Sequence, residues 1–222
     1  MFEKSAELDP GYANAYGAMA FSYVVGYIWQ LDRDPGVLDR AVELVNKAIA
    51  LDDSFSDAYA VRGWIEAVKN QHDRAFADCK RAASLDPNSA FAWLALAEIN
   101  NILWAASKPE DVLAYAQKAI RLDPRHPENY SMPEGIAYNR MGRYAEAVEA
   151  LKRGDQNNPW VHVSLIHSYS QLGREQDARA EAAEVLRVSP RFSLAEVERM
   201  PGNWQGPEGQ RYLSDLRKAG LK

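Results

Sequence analysis

Apolar residues recur along this chain at spacings of three and four, the period of an amphipathic helix, and the helical runs are cut by one short phrase that keeps returning. Leu8-Asp9-Pro10, Leu51-Asp52-Asp53, Leu85-Asp86-Pro87 and Leu122-Asp123-Pro124 close four such runs. Asn157-Asn158-Pro159 and Val188-Ser189-Pro190 are weaker forms of the same phrase. Their third residues, Pro10, Asp53, Pro87, Pro124, Pro159 and Pro190, follow one another at intervals of 43, 34, 37, 35 and 31 residues. A period near 34 residues made of two helical stretches predicts stacked helical hairpins.

Two neighbouring units carry the internal logic. Tyr59, Gly63, Ala75, Cys79, Ala82 and Pro87 are followed, in the same order, by Trp93, Ala97, Val112, Ala116, Ala119 and Pro124, with three extra residues between Ala97 and Val112. Antiparallel helices approach closely only where small side chains face each other, so Gly63 with Ala75, and Ala97 with Ala116, mark expected crossings. Tyr59 and Trp93 fill the space beside them. The closing Pro lacks an N–H and cannot continue the second helix, while Asp86 and Asp123 are placed to cap the helix that follows.

These units resemble the tetratricopeptide repeat. Further units fit the same order with Tyr16, Ala20, Tyr23, Ala41, Val45 and Ala48; with Gly135, Tyr138, Gly142, Tyr144, Ala147 and Pro159; and with Leu165, Tyr169, Gly173, Ala178, Ala182 and Pro190. The resemblance implies an all-α, right-handed superhelical solenoid of antiparallel hairpins. Five repeats span about 11–53, 54–87, 88–124, 125–159 and 160–190. Residues 1–10 match the end of a truncated repeat helix, as expected either of a piece cut from a longer chain or of a native start with an unusual N-terminal cap, and residues 191–222 are expected to form C-terminal capping helices. In that cap Leu194 and Val197 mark a short helix ended by Pro201-Gly202. A second helix starts near Pro207, aligns Tyr212, Leu213 and Leu216, and ends at Gly220.

Departures from the pattern carry expectations of their own. The first unit is about nine residues longer, so its first helix is expected to reach Trp29, turn at Asp34-Pro35-Gly36 and restart near Val37. Pro133 falls inside a first helix and should kink or shorten it. Gly154 and Val185 replace the usual late alanine.

Composition narrows the function classes. The chain has 26 Lys and Arg against 31 Asp and Glu, a formal charge of −5 spread without blocks, which argues against nucleic acid as a partner. Gly11 to Gln30 contains no charged residue, but its polar side chains and helical spacing fit a packed helix rather than membrane insertion. One cysteine, Cys79, makes no disulfide within the chain and falls at a packing position.

No site for catalysis emerges. His162 and His167 are five apart on one helix and point to different faces, so they do not share a metal. Asp32, Asp34 and Gly36 have the wrong spacing for a calcium loop, and Gly202, Gly206 and Gly209 lack the lysine of a phosphate loop. We therefore expect no catalytic, cofactor-binding or metal-binding residues and no enzyme activity.

What remains is surface. In an array of this family the first helices of successive repeats line a concave groove. By register the partner-binding positions are Phe21, Asp57, Trp64, Phe91, Leu94, Glu98, Asn101, Met132, Ile136, Asn139, His167 and Gln171. Trp64, Phe91 and Leu94 make an apolar strip, either an anchor for a partner or a surface covered by the chain itself. Family members that hold a chaperone's terminal carboxylate use Lys and Asn where this chain has Gly17 and Phe21, so that clamp is not expected. The sequence thus reads as a cytoplasmic, non-enzymatic interaction or scaffold module for a protein or peptide. The alternative is a regulatory or self-association arm, a homo-oligomer included, of a larger bacterial signalling enzyme. "RYLSDLRKAGLK", the "GRYAEAVEAL" phrase and the long first repeat are similar to the repeat regions joined to bacterial class III nucleotide cyclases, although no cyclase domain lies in this chain.

Overall fold

The computed structural model describes residues 2–28, 34, 36–102, 107–125, 128, 130–198, 204 and 206–222. Among them are thirteen helices and no strand. The chain forms two compact units whose boundary falls between Ile99 and Asn100.

The first unit holds α1 (Phe2–Leu8), α2 (Ala13–Ile28), α3 (Gly36–Leu51), α4 (Ser56–Val68), α5 (His72–Leu85) and most of α6 (Ala90–Ile102). α2 pairs with α3 and α4 with α5, and α4 also packs on α2 and α3. The second unit holds α7 (Pro109–Leu122), α8 (Ser131–Arg140), α9 (Tyr144–Leu151), α10 (Pro159–Gln171), α11 (Glu175–Val188), α12 (Leu194–Val197) and α13 (Pro207–Ala219). Here α8 pairs with α9 and α10 with α11, while α13 lies on α10 and α11. Leu213 and Leu216 of α13 join Leu165, Ile166 and Val185 in one buried cluster. The last residue is tied back to this layer, since the Lys222 carbonyl accepts from Leu194 N at 2.9 Å.

Among the described residues two turn types recur, and each has a residue-level cause. Within a hairpin, the helix ends on a left-handed residue, Asn70 (φ 58°), Gly142 (φ 72°) or Gly173 (φ 72°). The next residue then donates back five positions: Gln71 N to Glu66 O, Arg143 N to Tyr138 O and Arg174 N to Tyr169 O. Between hairpins, an aspartate makes the stop. The backbone N–H groups of Asp9, Asp52, Asp86 and Asp123 take the last helical bonds, to Ser5, Ala48, Ala82 and Ala119. The carboxylates of Asp9, Asp52 and Asp86 then accept, at 2.9 Å each, from the backbone N–H two residues on, at Gly11, Ser54 and Asn88. Their carbonyls close a turn on the third residue, Tyr12, Phe55 and Ser89.

This geometry corrects two expectations. Asp86 and Asp123 do not cap the next helix: Asp86 is spent on its own turn, Ser89 Oγ accepts from Ala92 N (3.1 Å) at the start of α6, and the Asp123 carboxylate accepts from Tyr130 OH (2.9 Å). Pro159 does not end a hairpin. It is the first residue of α10, where a missing N–H costs nothing, and Asn158 caps that helix through Trp160 N (2.9 Å). The turn-making acid of that unit is Asp155, bonded to Asn157 N.

Pro133 falls in the first turn of α8, which is a ten-residue helix. The restart near Val37 is found at Gly36, with Asp34 bonded to Gly36 N. Trp29, Pro35 and Pro201-Gly202 lie outside the described residues.

The crossings need their small residues. A Cβ added to Gly63 of α4 would stand 2.4 Å from Cys79 Sγ and 3.0 Å from the Ala75 carbonyl of α5. At Gly135 of α8 it would stand 2.4 Å from Leu151 Cγ of α9. Gly26 of α2 has nothing within 4 Å of the same position among the described residues. Among the described residues no helix is long and apolar enough to cross a membrane.

Opposite outcomes are therefore expected for one substitution at two glycines. Gly63→Ala should lower unfolding stability by roughly 1–3 kcal/mol through overpacking, and Gly26→Ala should leave it unchanged or raise it by about 0.5 kcal/mol through helix propensity. Urea unfolding followed by circular dichroism reads both; equal effects would contradict the close crossing at Gly63.

Candidate functional site

In the first unit, one face carries most of the apolar positions picked out by register. Phe21 of α2, Trp64 of α4 and Phe91 of α6 come from three successive first helices and touch in a triangle. Ring centroids are 5.4 Å apart for Phe21–Trp64, 5.5 Å for Phe21–Phe91 and 5.3 Å for Trp64–Phe91, the last two edge-to-face. All three rings are half-buried and rest on the core formed by Tyr16, Val24, Val45 and Ile65. The Trp64 indole N–H is buried with no acceptor among the described residues. Leu94, one turn along α6 from Phe91, is buried.

Two acids accompany the rings. Asp57 Oδ1 accepts from Ser89 Oγ at 3.2 Å; partial burial raises its carboxyl above the usual range, and the Ser89 bond offsets part of that. Glu98, two turns along α6 from Phe91, is the more perturbed group. Burial alone pushes its carboxyl up to about 8, and among the described residues no hydrogen bond or cation stabilises its charge. Its charged form in turn helps hold the buried Cys79 thiol up, after burial and Asp78, so Cys79 is a packed, unreactive group.

The second unit presents a different surface. Met132, Ile136 and Asn139 lie on α8, and His167 and Gln171 on α10. α13 lies against this part. His167 Nδ1 is 2.8 Å from Asp215 Oδ2, and its ring stacks on Tyr212 (4.2 Å, 17°) with Tyr144 edge-on at 5.8 Å. Gln171 Nε2 donates to the same Asp215 oxygen at 2.5 Å and its amide oxygen accepts from Arg211. Asn139 donates to Ser164 O (3.2 Å) and accepts from Ser168 Oγ (2.7 Å). Ile136, Asn139 and His167 then line a cleft of about 240 Å³ with Tyr144, Arg211 and Tyr212. Met132 instead packs on the core, its sulfur 3.7 Å from Asn158 Nδ2. Asn101, also in this unit, is half-buried, with its Oδ1 unpartnered among the described residues.

Asp215 was not singled out by sequence reasoning. Its signal is a carboxylate between the apolar positions Tyr212, Leu213 and Leu216 of an amphipathic helix, where an acid needs a buried partner. The two histidines of α10 do point apart: His162 Nδ1 meets Glu181 of α11 at 2.6 Å and Nε2 meets Gln156 O, whereas His167 meets α13.

No family model matches the chain. Over 208 residues it is 26% identical to superkiller protein 3 of Schizosaccharomyces pombe, covering 88% of this chain and 14% of that protein. Its structure is similar to that of TTC0263, a thermophilic tetratricopeptide-repeat protein of Thermus thermophilus (TM-score 0.65, 19% identity, 90% of this chain and 99% of that one). It is also similar to a chain of the APC/C hetero-tetramer Cut9-Hcn1 (TM-score 0.72, 19% identity, 96% of this chain and 38% of that one). The chain spans 20% or less of the length of the curated relatives it matches. It has the fold of a tetratricopeptide-repeat array.

Within the first unit Glu98, unpaired among the described residues, sets a stability test. Its ordinary value is 4.5 and its folded value about 8, so between these the native chain keeps a proton that the unfolded chain has released. Stability therefore falls as pH rises from about 4.5 to 8. Glu98→Gln should be neutral near pH 4 and stabilising by on the order of 1–3 kcal/mol at pH 8. Thermal unfolding at both pH values checks this, and a variant less stable at pH 8 would contradict the burial of an uncompensated carboxyl.

Proposed function

We propose that the chain is a non-enzymatic interaction module that holds a protein or peptide segment on the face bearing Phe21, Trp64 and Phe91. The carrying observation is that ring triangle: three large aromatic side chains from three consecutive first helices, half-buried together rather than sunk in the core. Aromatic clusters of this kind supply most of the binding energy at protein interfaces, because each buries a large area with little side-chain freedom to lose. The hetero-tetrameric state of the similar Cut9-Hcn1 structure supports a role in assembly. The regulatory or self-association arm of a larger signalling enzyme would use the same face, and no observation favours that alternative.

Trp64→Ala and Phe91→Ala are each expected to abolish capture of the proteins that the parent chain retains from a lysate of its source, a loss of at least tenfold, with the helical circular dichroism spectrum kept. Retention of the same proteins by both variants would contradict this function.

A further inference from the structure

The face around the ring triangle has a chemistry that narrows its occupant. Along α6, Phe91, Leu94 and Glu98 stand at i, i+3 and i+7, one face of the helix. Asp57 of α4 is the other polar residue of the strip, and no lysine or arginine occupies any of the strip positions Phe21, Asp57, Trp64, Phe91, Leu94 and Glu98. On α4, Arg62 lies two residues from Trp64 and so on another side of the helix, and its guanidinium makes two bonds to the Asp78 carboxylate of α5, at 2.6 and 2.7 Å. Asp57 is served by Ser89. Glu98 is served by nothing among the described residues, though its residue keeps partial exposure. A half-buried carboxyl without donor or cation is a group whose charge a visiting cation would complete, and in such surroundings a charged hydrogen bond is worth more than on an open surface.

We propose that this face takes a segment of a partner protein in which a large apolar side chain and a lysine or arginine lie about three residues apart, the apolar side chain seating on Phe21, Trp64 and Phe91 and the cation pairing with Glu98. The inference rests on the reading of this face as the interaction surface and specifies its partner. Geometry sets the spacing. Phe91 and Glu98 are seven residues apart, about 10 Å along a helix, which an extended peptide covers in about three residues. Acidic segments are disfavoured, because they would meet the Asp57 carboxylate and bring Glu98 no cation.

Panning a random nonapeptide display library on the immobilised 222-residue chain tests this. The expected yield is sequences with Lys or Arg two to four positions from a Leu, Ile, Met, Phe or Trp. Peptides resynthesised from that yield should bind at least tenfold more weakly to Glu98→Gln, a variant expected to fold at least as stably as the parent. Neutral or acidic consensus sequences, or affinities unchanged in Glu98→Gln, overturn the assignment of the cation. If such peptides still require Trp64, as Trp64→Ala reports, the interaction face stands without its Glu98 partner. If nothing is enriched, or if enrichment persists in Trp64→Ala, the face itself is overturned along with the proposal.

Discussion

Two helices can lie with their backbones almost in contact only where no side chain stands between them, and much of this structure follows from that constraint. At Gly63 the second helix of the hairpin presents Cys79 Sγ and the Ala75 carbonyl at distances that leave no room for a methyl group. The buried positions of α5 are accordingly all small: Ala75, Cys79, Ala82 and Ala83. Larger residues occupy the other sides of these helices, such as Ile65 in the core beneath the rings. A thin seam within the hairpin thus leaves the first helices free to set Phe21, Trp64 and Phe91 against one another.

Most of this was legible in the sequence because it is written in residue size and period. The α2–α3, α4–α5, α8–α9 and α10–α11 pairs, the crossing at Gly63 and the stop at each Leu-Asp phrase depend on contacts close in sequence, which a repeating pattern records. Roles decided by hydrogen-bond competition were less legible. Asp86 could serve either the turn behind it or the helix ahead, and the turn takes it because the Asn88 N–H is nearer in the chain while Ser89 is there to cap α6. Pro159 resembles the prolines that follow a stop, yet the acid that makes the stop is Asp155, four residues earlier, so the same proline opens α10.

The face predicted by register divides between the two units. In the second unit Asn139, His167 and Gln171 are engaged within the chain, through Ser164, Ser168 and the Asp215 carboxylate of α13. For His167 and Gln171 that fate could not be read from the helix periods, because it depends on a carboxylate arriving from 48 and 44 residues away. Such a network fixes one orientation of α13 on α10, since any slip would strand a buried carboxylate and a buried imidazole. In the first unit the rings touch one another above the core of Tyr16, Val24, Val45 and Ile65, and Glu98 has no compensating partner among the described residues. Proteins ordinarily avoid such a group unless something outside the fold makes use of it.

The tight seam of the α4–α5 hairpin is the claim on which the rest stands, and the single cysteine lies within it. The rate at which Cys79 reacts with an aromatic disulfide reagent, compared with the same chain in urea, measures that seam directly. A closed crossing predicts reaction only through opening of the hairpin, at least a thousandfold slower than in the unfolded chain and accelerated by sub-denaturing urea. A native chain whose Cys79 reacts within tenfold of the unfolded rate would contradict it.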